Sequence, residues 1–321
     1  VLGVLHLKGF IFDDTVLYSG ASINDIYLHQ AEKYRCDRYH VLHNPALADS
    51  MVTYLEDNFV KKSAVTRLDA LDIPTTKALK QDIRQFKQTL RSAQYHYVHR
   101  DCSDNEIGVT PMSGFGRHGN KLNQTITHLL RAVDNEVTIF TPYFNLPLSI
   151  AKDIKRLLKR KVKVTLVIGD KTANDFFIPP SEPFKVISAL PYIYESFLHK
   201  FVKSCQSFID QGLLNVCLWK DGDNSFHLKG LSCDDKYHLL TGNNLNPRAW
   251  GLDLENGILV HDENALLTEK MAAERAQILA NTTRINSLAD LDTVQDYPQA
   301  VQKFMRRIKT ARIDMLLKRI L

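Results

Sequence analysis

The sequence His-Leu-Lys-Gly-Phe-Ile-Phe-Asp-Asp at residues 6–14 returns as His-Leu-Lys-Gly-Leu-Ser-Cys-Asp-Asp at residues 227–235. The repeat continues after each copy: Leu-Tyr-Ser-Gly-Ala-Ser-Ile-Asn at residues 17–24 matches Leu-Leu-Thr-Gly-Asn-Asn-Leu-Asn at residues 239–246, displaced by one position. One short match arises by chance on the order of a few per cent of the time, but two copies with matching flanks do not. The chain is therefore built around a duplicated unit.

Each copy of this unit predicts two adjacent strands. The first strand runs up to the Asp-Asp pair, which favours a tight turn, and the second is apolar and ends at Gly20 or Gly242. Because side chains alternate along a strand, we expect the histidine and the lysine of each motif on one face. The two side chains can then converge on one bound group.

The hydrophobic pattern around the copies indicates α/β organisation. Strands are predicted at residues 137–144, 163–170 and 213–220, and helices at residues 148–160 and 192–211. Further helices are predicted at residues 46–61 and 76–97, with residues 68–75 and the glycine-rich residues 113–119 as connectors.

The two copies are unequally placed in the chain. The second copy has a long segment of its own half in front of it, from about residue 107, whereas five residues precede the first copy. We therefore expect a division into residues 1–106, with the motif at residues 6–13 and a helical connection, and residues 107–321, with the motif at residues 227–234. On this interpretation the first half is N-terminally truncated in this chain, by a segment of about half a domain.

The repeated histidine and lysine, with a later carboxylate, form a set suited to phosphoryl transfer. Neutral imidazole is a nucleophile near neutral pH, and a carboxylate on its second nitrogen fixes the tautomer and stabilises the imidazolium. Asp37 and Glu255, at matching places after the two motifs, are the candidates for that carboxylate. Lys8 and Lys229 supply positive charge for phosphoryl oxygens. Two such sets together give one histidine that attacks phosphorus and another that protonates the departing oxygen.

The remaining motif residues leave alternatives open. Asp13 and Asp234 are candidate catalytic residues as the last members of H-x-K-x4-D, but a turn-holding role is favoured because aspartate stabilises turns through local hydrogen bonds. A metal site is disfavoured because lysine is a poor ligand and the close pair His40 and His43 has no carboxylate or cysteine at ligand spacing beyond Asp37. The five cysteines include no CxxC pair, so neither a zinc cluster nor a disulfide framework is expected.

The composition is that of an ordinary globular protein. With 44% hydrophobic and 24% charged residues, a disordered or fibrous chain is excluded. No stretch approaches the roughly 20 consecutive apolar residues of a membrane-spanning helix, and the N-terminus lacks a signal-peptide pattern. The net charge is +5, and basic residues are concentrated at the C-terminus. We therefore expect a soluble or peripheral protein of the cytoplasm.

The doubled H-x-K-x4-D motif resembles that of the phospholipase D superfamily. A resemblance over nearly the whole chain is to the phosphatidylserine synthases of Gram-negative bacteria, for example in Thr-Pro-Tyr-Phe-Asn-Leu-Pro at residues 141–147 and Thr-Gly-Asn-Asn-Leu-Asn-Pro-Arg-Ala-Trp at residues 241–250. Residues 169–176, 189–192 and 218–221 also carry it. The resemblance implies an α/β fold of two pseudo-symmetric phospholipase D-like halves, with mixed sheets flanked by helices and one shared active site.

The same resemblance implies the reaction. CMP of CDP-diacylglycerol is exchanged for L-serine without metal or cofactor through a phosphatidyl-histidine, at the anionic phospholipid surface of the inner membrane and without nucleic acid. By the habit of the superfamily, His6 attacks and His227 is the general acid. Other phosphodiesterases of the superfamily are alternatives, namely a phospholipase, a cardiolipin-synthase-like enzyme or a nuclease. A non-catalytic membrane scaffold is disfavoured because histidine and lysine are intact in both copies.

Candidates for substrate binding lie in loops. They are Ser22, Asn24, Asn244 and Asn246, where the superfamily has Gly-Ser-x-Asn after the motif, and Asp170 and Lys171, which follow a predicted strand. The last two are positioned to contact serine or the cytidine group, although a solvated loop is an equal alternative.

The C-terminal segment predicts an amphipathic helix. Apolar residues recur at helical spacing: Val301, Phe304, Met305, Ile308, Ala311 and Met315. Basic residues occupy the remaining arc: Lys303, Arg306, Arg307, Lys309, Arg312, Lys318 and Arg319. Two alternatives have equal weight: the helix lies on an anionic membrane, or its apolar stripe packs on the protein core and its charges are solvated.

Overall fold

The computed structural model describes residues 3–311 together with Leu317 and Leu321. The α-helices within these residues are α1 Pro45–Leu55, α2 Lys80–Ser92, α3 Lys121–Ala132, α4 Leu148–Lys159, α5 Leu190–Asp210, α6 Pro247–Gly251, α7 Thr268–Ala280 and α8 Gln299–Thr310. The strands are β1 Leu5–His6, β2 Phe10–Phe12, β3 Thr15–Ser19, β4 Arg35–Cys36, β5 Tyr39–His43, β6 Gly108–Phe115, β7 Glu136–Thr141, β8 Lys163–Gly169, β9 Leu214–Trp219, β10 Ser225–Phe226, β11 Gly230–Cys233, β12 Tyr237–Thr241, β13 Leu254–His261 and β14 Thr282–Ile285.

A nine-stranded mixed sheet forms the centre of the described structure. Its order is β1-β13-β12-β11-β7-β8-β9-β14, and β6 also pairs with β13. Strands β7, β8 and β9 are parallel and are connected through α4 and α5, as parallel neighbours require. The α/β organisation predicted for this region is therefore confirmed, with element ends within three residues of the predicted ones.

The duplicated strand pair is also confirmed. β2 and β3 form a hairpin that β5 extends, and β11 and β12 form one that β13 extends. Ser19 pairs with Tyr39, and Thr241 pairs with Gly257. Because each of these partners lies two residues after a candidate carboxylate, the registers place Asp37 and Glu255 at equivalent positions of the two halves.

An apolar core holds the two copies together. Val16 and Tyr18 of β3 pack with Leu240 of β12 and with Ile258 and Val260 of β13. All five side chains are buried, and burying each large apolar side chain stabilises the fold by about 1.5–3 kcal/mol. This interface fixes how the two motifs face each other. The division between residues 106 and 107 stays a prediction.

Two local predictions are wrong. Residues 113–119 are not simply a connector, because β6 pairs with β13 along its whole length and only the residues after Phe115 turn. A Cβ on Gly114 would lie 1.7 Å from Asn120 Oδ1, so this glycine permits close packing within a strand. The helix predicted at residues 76–97 is shorter, since α2 begins at Lys80 and ends at Ser92.

The motif histidine and lysine do not share one continuous strand. β1 ends at His6 and β2 begins at Phe10, while β10 ends at Phe226 and β11 begins at Gly230. The strands on either side of each break pair with different partners. Gly9 and Gly230 have φ values of 114° and 126°, which residues other than glycine rarely adopt.

The helix α8 packs its apolar stripe on the protein. Val301 and Ile308 are buried, and Phe304 and Met305 pack against the cores, so the predicted packing of the apolar stripe on the protein is confirmed for this part of the helix. Whether its basic residues contact a membrane stays a prediction. Ala311 is exposed. The predictions for Met315, Arg312, Lys318 and Arg319 fall outside the described residues. Among the helices that the structure describes, none has the length and apolar character needed to cross a membrane.

Candidate active site

His6 reaches the site from one half and meets a carboxylate from the other. Because β1 runs parallel to β13, His6 lies opposite Glu255 in the strand register. Its Nδ1 atom is 3.0 Å from Oε1 and 2.9 Å from Oε2 of Glu255. A carboxylate placed there orients the ring and leaves Nε2 as the reactive nitrogen.

His227 has the equivalent arrangement with the halves exchanged. β10 runs parallel to β4, and the His227 N–H donates to the carbonyl oxygen of Cys36 at 2.9 Å. Nδ1 of His227 is 2.7 Å from Oδ2 of Asp37. Each histidine is thus held by the carboxylate of the opposite half, so neither half contains a complete site.

The motif lysines cross between the halves as well. A Cβ on Gly20 would lie 3.1 Å from Cδ of Lys229, and a Cβ on Gly242 would lie 2.7 Å from Cγ of Lys8. The glycine that ends the second strand of each repeat therefore makes room for the lysine of the other half. Glycine is therefore required at positions 20 and 242 because a lysine side chain approaches the backbone closely at each of them.

Two further residues hold the lysine backbones, and the sequence analysis missed both. Asn256 accepts from the Lys8 N–H and donates to the Lys8 carbonyl oxygen, each at 2.8 Å. Arg38 donates to the Lys229 carbonyl oxygen at 3.3 Å. Asn256 follows Glu255 directly and Arg38 follows Asp37, so the aligned repeat contained the signal.

Burial controls the charge of the lysines and of His227. Burial lowers the pKa of Lys229 to about 7, and the nearby positive charge of Lys8 adds to this effect. Burial also lowers the pKa of Lys8, although Glu255 and Asp37 oppose it. Burial and then the Lys229 charge lower the pKa of His227 to about 4. In the free site His227 is therefore neutral near pH 7, and the neighbouring Lys229 is only partly protonated at that pH.

The pKa values of the two carboxylates are shifted in opposite directions. Burial acts to raise the pKa of Asp37, but Lys229 and His227 outweigh it, so the pKa is lowered. Burial raises the pKa of Glu255, and His6 offsets this only in part. The Lys229 ammonium lies beside His227 Nδ1 and 3.8 Å from Asp37 Oδ2, so the two basic groups of the second motif share one carboxylate.

A chain of polar side chains leads away from His227. The Tyr27 hydroxyl is 3.1 Å from Nε2 of His227, and Arg35 Nη1 donates to that hydroxyl at 3.4 Å. Arg35 Nε is 3.2 Å from Asp175 Oδ1, and the Tyr143 hydroxyl donates to Asp175 Oδ2 at 3.0 Å. Burial raises the pKa of Tyr27 to about 12, so its hydroxyl is neutral. This arrangement joins segments distant in sequence, and no local pattern marks it.

Asp13 and Asp234 occupy the hairpin turns. Both have positive φ, 50° and 52°. The Asp234 carboxylate accepts from the backbone N–H groups of Asp134, Asn135 and Glu136 at 2.8–2.9 Å. Asp13 is exposed. These hydrogen bonds join the β11–β12 turn to the segment that leads into β7, so they give Asp234 a structural role. A catalytic role for Asp13 and Asp234 stays a prediction.

Asp170 and Lys171 are engaged within the second half. Asp170 accepts from the Thr172 N–H at 2.8 Å and caps a short helical turn. Lys171 donates to Glu195 at 2.9 Å and to Asp292 at 2.5 Å. A substrate that bound either side chain would first have to displace these partners. In the same loop, Asp175 instead pairs with Arg35 at 3.2 Å.

The four residues after the motifs have different environments. Asn246 accepts from the Ala249 N–H at 2.9 Å and begins α6, and Asn24 accepts from the Tyr27 N–H at 3.2 Å. Ser22 is exposed. Asn244 has a buried Oδ1 atom without a hydrogen-bond partner in the part of the chain that the structure describes. Among these four, Asn244 has the side chain with an unmet need for a donor.

The complete site combines two histidines, two lysines and two carboxylates supplied reciprocally by two copies of one unit. This arrangement is suited to covalent phosphoryl transfer, because one imidazole can attack while the other moves a proton and both lysines face the shared centre. Two pseudo-symmetric α/β halves with one such site define a protein of the phospholipase D class.

Known proteins agree with this class and narrow it. A family model described as "Cardiolipin synthase, PLD-like domain" matches residues 126–279. The CDP-diacylglycerol–serine O-phosphatidyltransferase PssA of Escherichia coli K12 is 49% identical over the whole chain, which covers 70% of that protein. The enzyme of the same name from Haemophilus influenzae is 46% identical, with 71% covered. The crystal structure of the Haemophilus influenzae phosphatidylserine synthase superposes on the whole chain with a TM-score of 0.95 at 45% identity, over 71% of that structure.

The chain belongs to the CDP-diacylglycerol–serine O-phosphatidyltransferase family of the phospholipase D superfamily. The resemblance noted in the sequence and the mixed α/β fold it implied are thereby confirmed.

Proposed function

We propose that this protein transfers the phosphatidyl group of CDP-diacylglycerol to L-serine, releasing CMP, through a phosphatidyl-histidine intermediate. The observation that carries the mechanism is the reciprocal pairing of each motif histidine with the carboxylate of the opposite half. It supports a single centre at which two imidazoles act on one phosphorus atom. Sequence identity of 49% and 46% over the whole chain to CDP-diacylglycerol–serine O-phosphatidyltransferases supports the choice of substrates.

In the first half-reaction His6 attacks. Its side chain is 29% exposed against 12% for His227, and within the described residues its Nε2 has no hydrogen-bond partner. A bond forms between Nε2 and the phosphatidyl phosphorus, and the bond from that phosphorus to the CMP oxygen breaks. The oxygen leaves with the electron pair and takes a proton from His227.

The second half-reaction reverses these roles. The serine hydroxyl gives its proton to Nε2 of His227, its oxygen bonds to phosphorus, and the bond between phosphorus and His6 breaks. Lys8 and Lys229 bind the non-bridging oxygens in both steps and stabilise the charge that develops there. A bound phosphoryl group also offsets the Lys229 charge, so we expect the pKa of His227 to rise when substrate binds, and the imidazole then takes up from solvent the proton that it gives to CMP in the first step.

The direct test is CMP release from CDP-diacylglycerol in mixed micelles, with and without L-serine, together with rapid acid quench to trap the adduct. We expect serine-dependent phosphatidylserine formation and a phosphatidyl adduct on His6. Cleavage of a polynucleotide, or CMP release that ignores serine, would favour a phosphodiesterase instead. An adduct on His227 would exchange the two histidine roles.

Binding of CDP-diacylglycerol should weaken as the pH rises. Lys229 has a pKa of about 7 in the free site, so it is charged below that pH and must take up a proton above it before it can pair with phosphate. One linked proton changes affinity by up to about tenfold per pH unit. We therefore expect KM for CDP-diacylglycerol to climb from pH 7 to pH 9. Lys229→Arg, which stays charged, should flatten this rise. A KM that is constant or falls with pH in the unchanged protein would contradict the prediction.

We further propose that the protein works as a peripheral protein at the inner membrane, with α8 as a basic contact surface. Lys303, Arg306, Arg307 and Lys309 are exposed on this helix, while its apolar side faces the protein. Each basic residue near an anionic surface contributes about 1 kcal/mol of attraction. The contact is therefore electrostatic and does not require insertion of the apolar stripe.

Charge reversal tests this surface. The triple change of Arg306, Arg307 and Lys309 to Glu should lower sedimentation with anionic vesicles by at least about tenfold, given that contribution per charge. Raising the salt concentration should have the same effect on the unchanged protein, because screening shortens the reach of surface charge to about 8 Å at physiological ionic strength. The matched control reverses Lys77, Lys80 and Arg84, which are exposed near and within α2. Equal loss in both triple variants would reject α8 as the contact.

A further inference from the structure

A hydroxyl group of the protein lies against the His227 ring. The Tyr27 hydroxyl is 3.2 Å from Nδ1 and 3.1 Å from Nε2, the nitrogen that takes the proton from serine in the mechanism above. Arg35 Nη1 lies 3.4 Å from that hydroxyl oxygen, and Arg35 Nε lies 3.2 Å from Asp175. A guanidinium and a carboxylate thus follow in order from the position of the hydroxyl.

We propose that Arg35 binds the carboxylate and Asp175 the ammonium group of the serine acceptor, while the serine hydroxyl takes the place of Tyr27 at His227. This inference rests on the proposed transfer reaction and identifies its second substrate site. Serine carries a hydroxyl, an ammonium and a carboxylate on two adjacent carbons. The three protein groups offer a matching base, anion and cation within one contiguous cluster.

The contacts of Arg35 and Asp175 leave binding capacity unused. Asp175 is 10% exposed, and its Oδ1 atom has no hydrogen bond among the described residues despite the nearby guanidinium. Arg35 is 34% exposed, and its Nη2 atom makes no hydrogen bond within the same part of the chain. The Arg35 guanidinium at 3.2 Å compensates the charge of this buried oxygen without forming a well-aligned hydrogen bond, so a ligand ammonium that donates to it gains free energy.

Direct contacts connect this pair to the reaction centre. Asp175 pairs with Arg35 at 3.2 Å, Arg35 donates to the Tyr27 hydroxyl at 3.4 Å, and that hydroxyl is 3.1 Å from Nε2 of His227. The Asp175 charge acts to raise the pKa of both His227 and Lys229. When the serine oxygen bonds to phosphorus, its proton moves to His227 Nε2 and the His6–phosphorus bond breaks. A negative charge at Asp175 stabilises the imidazolium formed in that step. The pair is therefore placed to bind the acceptor and to assist proton removal.

Recognition of both charged groups gives selectivity for an amino acid. An acceptor without the ammonium leaves the Asp175 carboxylate unpaired, and one without the carboxylate leaves Arg35 unpaired. Sites built to pair with a polar group reject analogues that lack it more strongly than apolar pockets reject a missing methylene. Glycerol-type acceptors are thus excluded by Asp175.

The test compares Arg35→Gln and Asp175→Asn with the unchanged full chain. Loss of one charged hydrogen bond should raise KM for serine by about 10- to 100-fold. The rise in KM for serine should exceed any change in KM for CDP-diacylglycerol or in the exchange of labelled CMP into CDP-diacylglycerol without serine. CMP exchange needs only the first half-reaction, so its loss in the unchanged protein would count against the covalent mechanism and not against this acceptor site. Lys33→Gln is the matched control, because Lys33 is two residues from Arg35 and forms an exposed pair with Asp223.

Two analogues separate the roles of the pair. Ethanolamine is serine without the carboxylate, and 3-hydroxypropionate is serine without the ammonium. The preference for serine over ethanolamine should shrink in Arg35→Gln, and the preference for serine over 3-hydroxypropionate should shrink in Asp175→Asn. If either variant fails to fold, as judged by its thermal unfolding, the other still tests the site. An unchanged KM for serine with a lower kcat would show that the pair has only a structural role. A selective rise of KM for CDP-diacylglycerol would show that the pair binds the nucleotide substrate. Either result overturns the inference.

Discussion

Replacing either His6 or His227 with alanine is expected to lower kcat by about 10²- to 10⁴-fold, the range associated with general acid–base groups. His6→Ala removes the atom that bonds to phosphorus, and His227→Ala removes the proton carrier for both half-reactions. The double variant should be little worse than the poorer single one, because groups that act together in one reaction are not additive. Turnover with CDP-diacylglycerol and serine measures all three.

The control for the histidines is His43→Ala. His43 is exposed on β5 and contacts the Thr15 hydroxyl at 2.9 Å, away from both motif histidines in the chain. It should turn over at a nearly normal rate. Acid quench of His227→Ala should still give an adduct on His6 if the roles are as proposed. Near-normal turnover in either motif variant would contradict the shared centre.

Replacing Lys229 or Lys8 with methionine is expected to cost about 10²- to 10³-fold in kcat, as does removal of a donor that stabilises a developing oxyanion. The stability of the folded protein should not fall together with kcat when Lys229 is replaced. Its pKa is about 7 in the folded chain, below the ordinary lysine value, so burial of the charged form opposes folding fully below pH 7 and progressively less as the pH rises toward 10. At pH 7 the unfolding temperature of Lys229→Met should therefore not fall.

Thermal unfolding and turnover are measured on the same preparation. Lys236→Met is the matched control, since Lys236 pairs with Glu263 at the β11–β12 turn. We expect it to leave turnover unchanged. Phosphate or sulfate soaked into crystals should bind between Lys8 and Lys229. A lysine variant that keeps normal turnover, or one whose loss of activity tracks a loss of fold, would contradict the phosphoryl-binding role.

The repeated motif was sufficient to predict much of this protein. Periodicity predicted β7 to β9 and the helices between them, because local spacing of apolar residues reflects which side faces a core. The duplication identified the two histidines and lysines and, through matching positions, Asp37 and Glu255. The resemblance carried by residues 141–147 and 241–250 led to the correct family.

Packing alone decided how these residues are combined. Nothing near His6 in sequence indicates that its carboxylate is Glu255 of the other half, since that pairing depends on β1 lying beside β13. The same holds for Gly20 and Gly242, whose missing side chains admit the lysines of the opposite halves. Residues 113–115 belong to strand β6 although their composition favours a connector, because β13 forms hydrogen-bonded pairs along the whole of that strand.

The sequence by itself determined the chemistry available to this protein: which nucleophile, which cations and which carboxylates, each supplied twice. Tertiary structure decided which carboxylate orients which histidine, that Tyr27, Arg35 and Asp175 extend the site, and that the apolar stripe of α8 faces the core. The physical reason is that periodicity and motif spacing record a residue's local geometry and required burial. Contacts between residues hundreds of positions apart arise only when the two halves bury their apolar surfaces against each other.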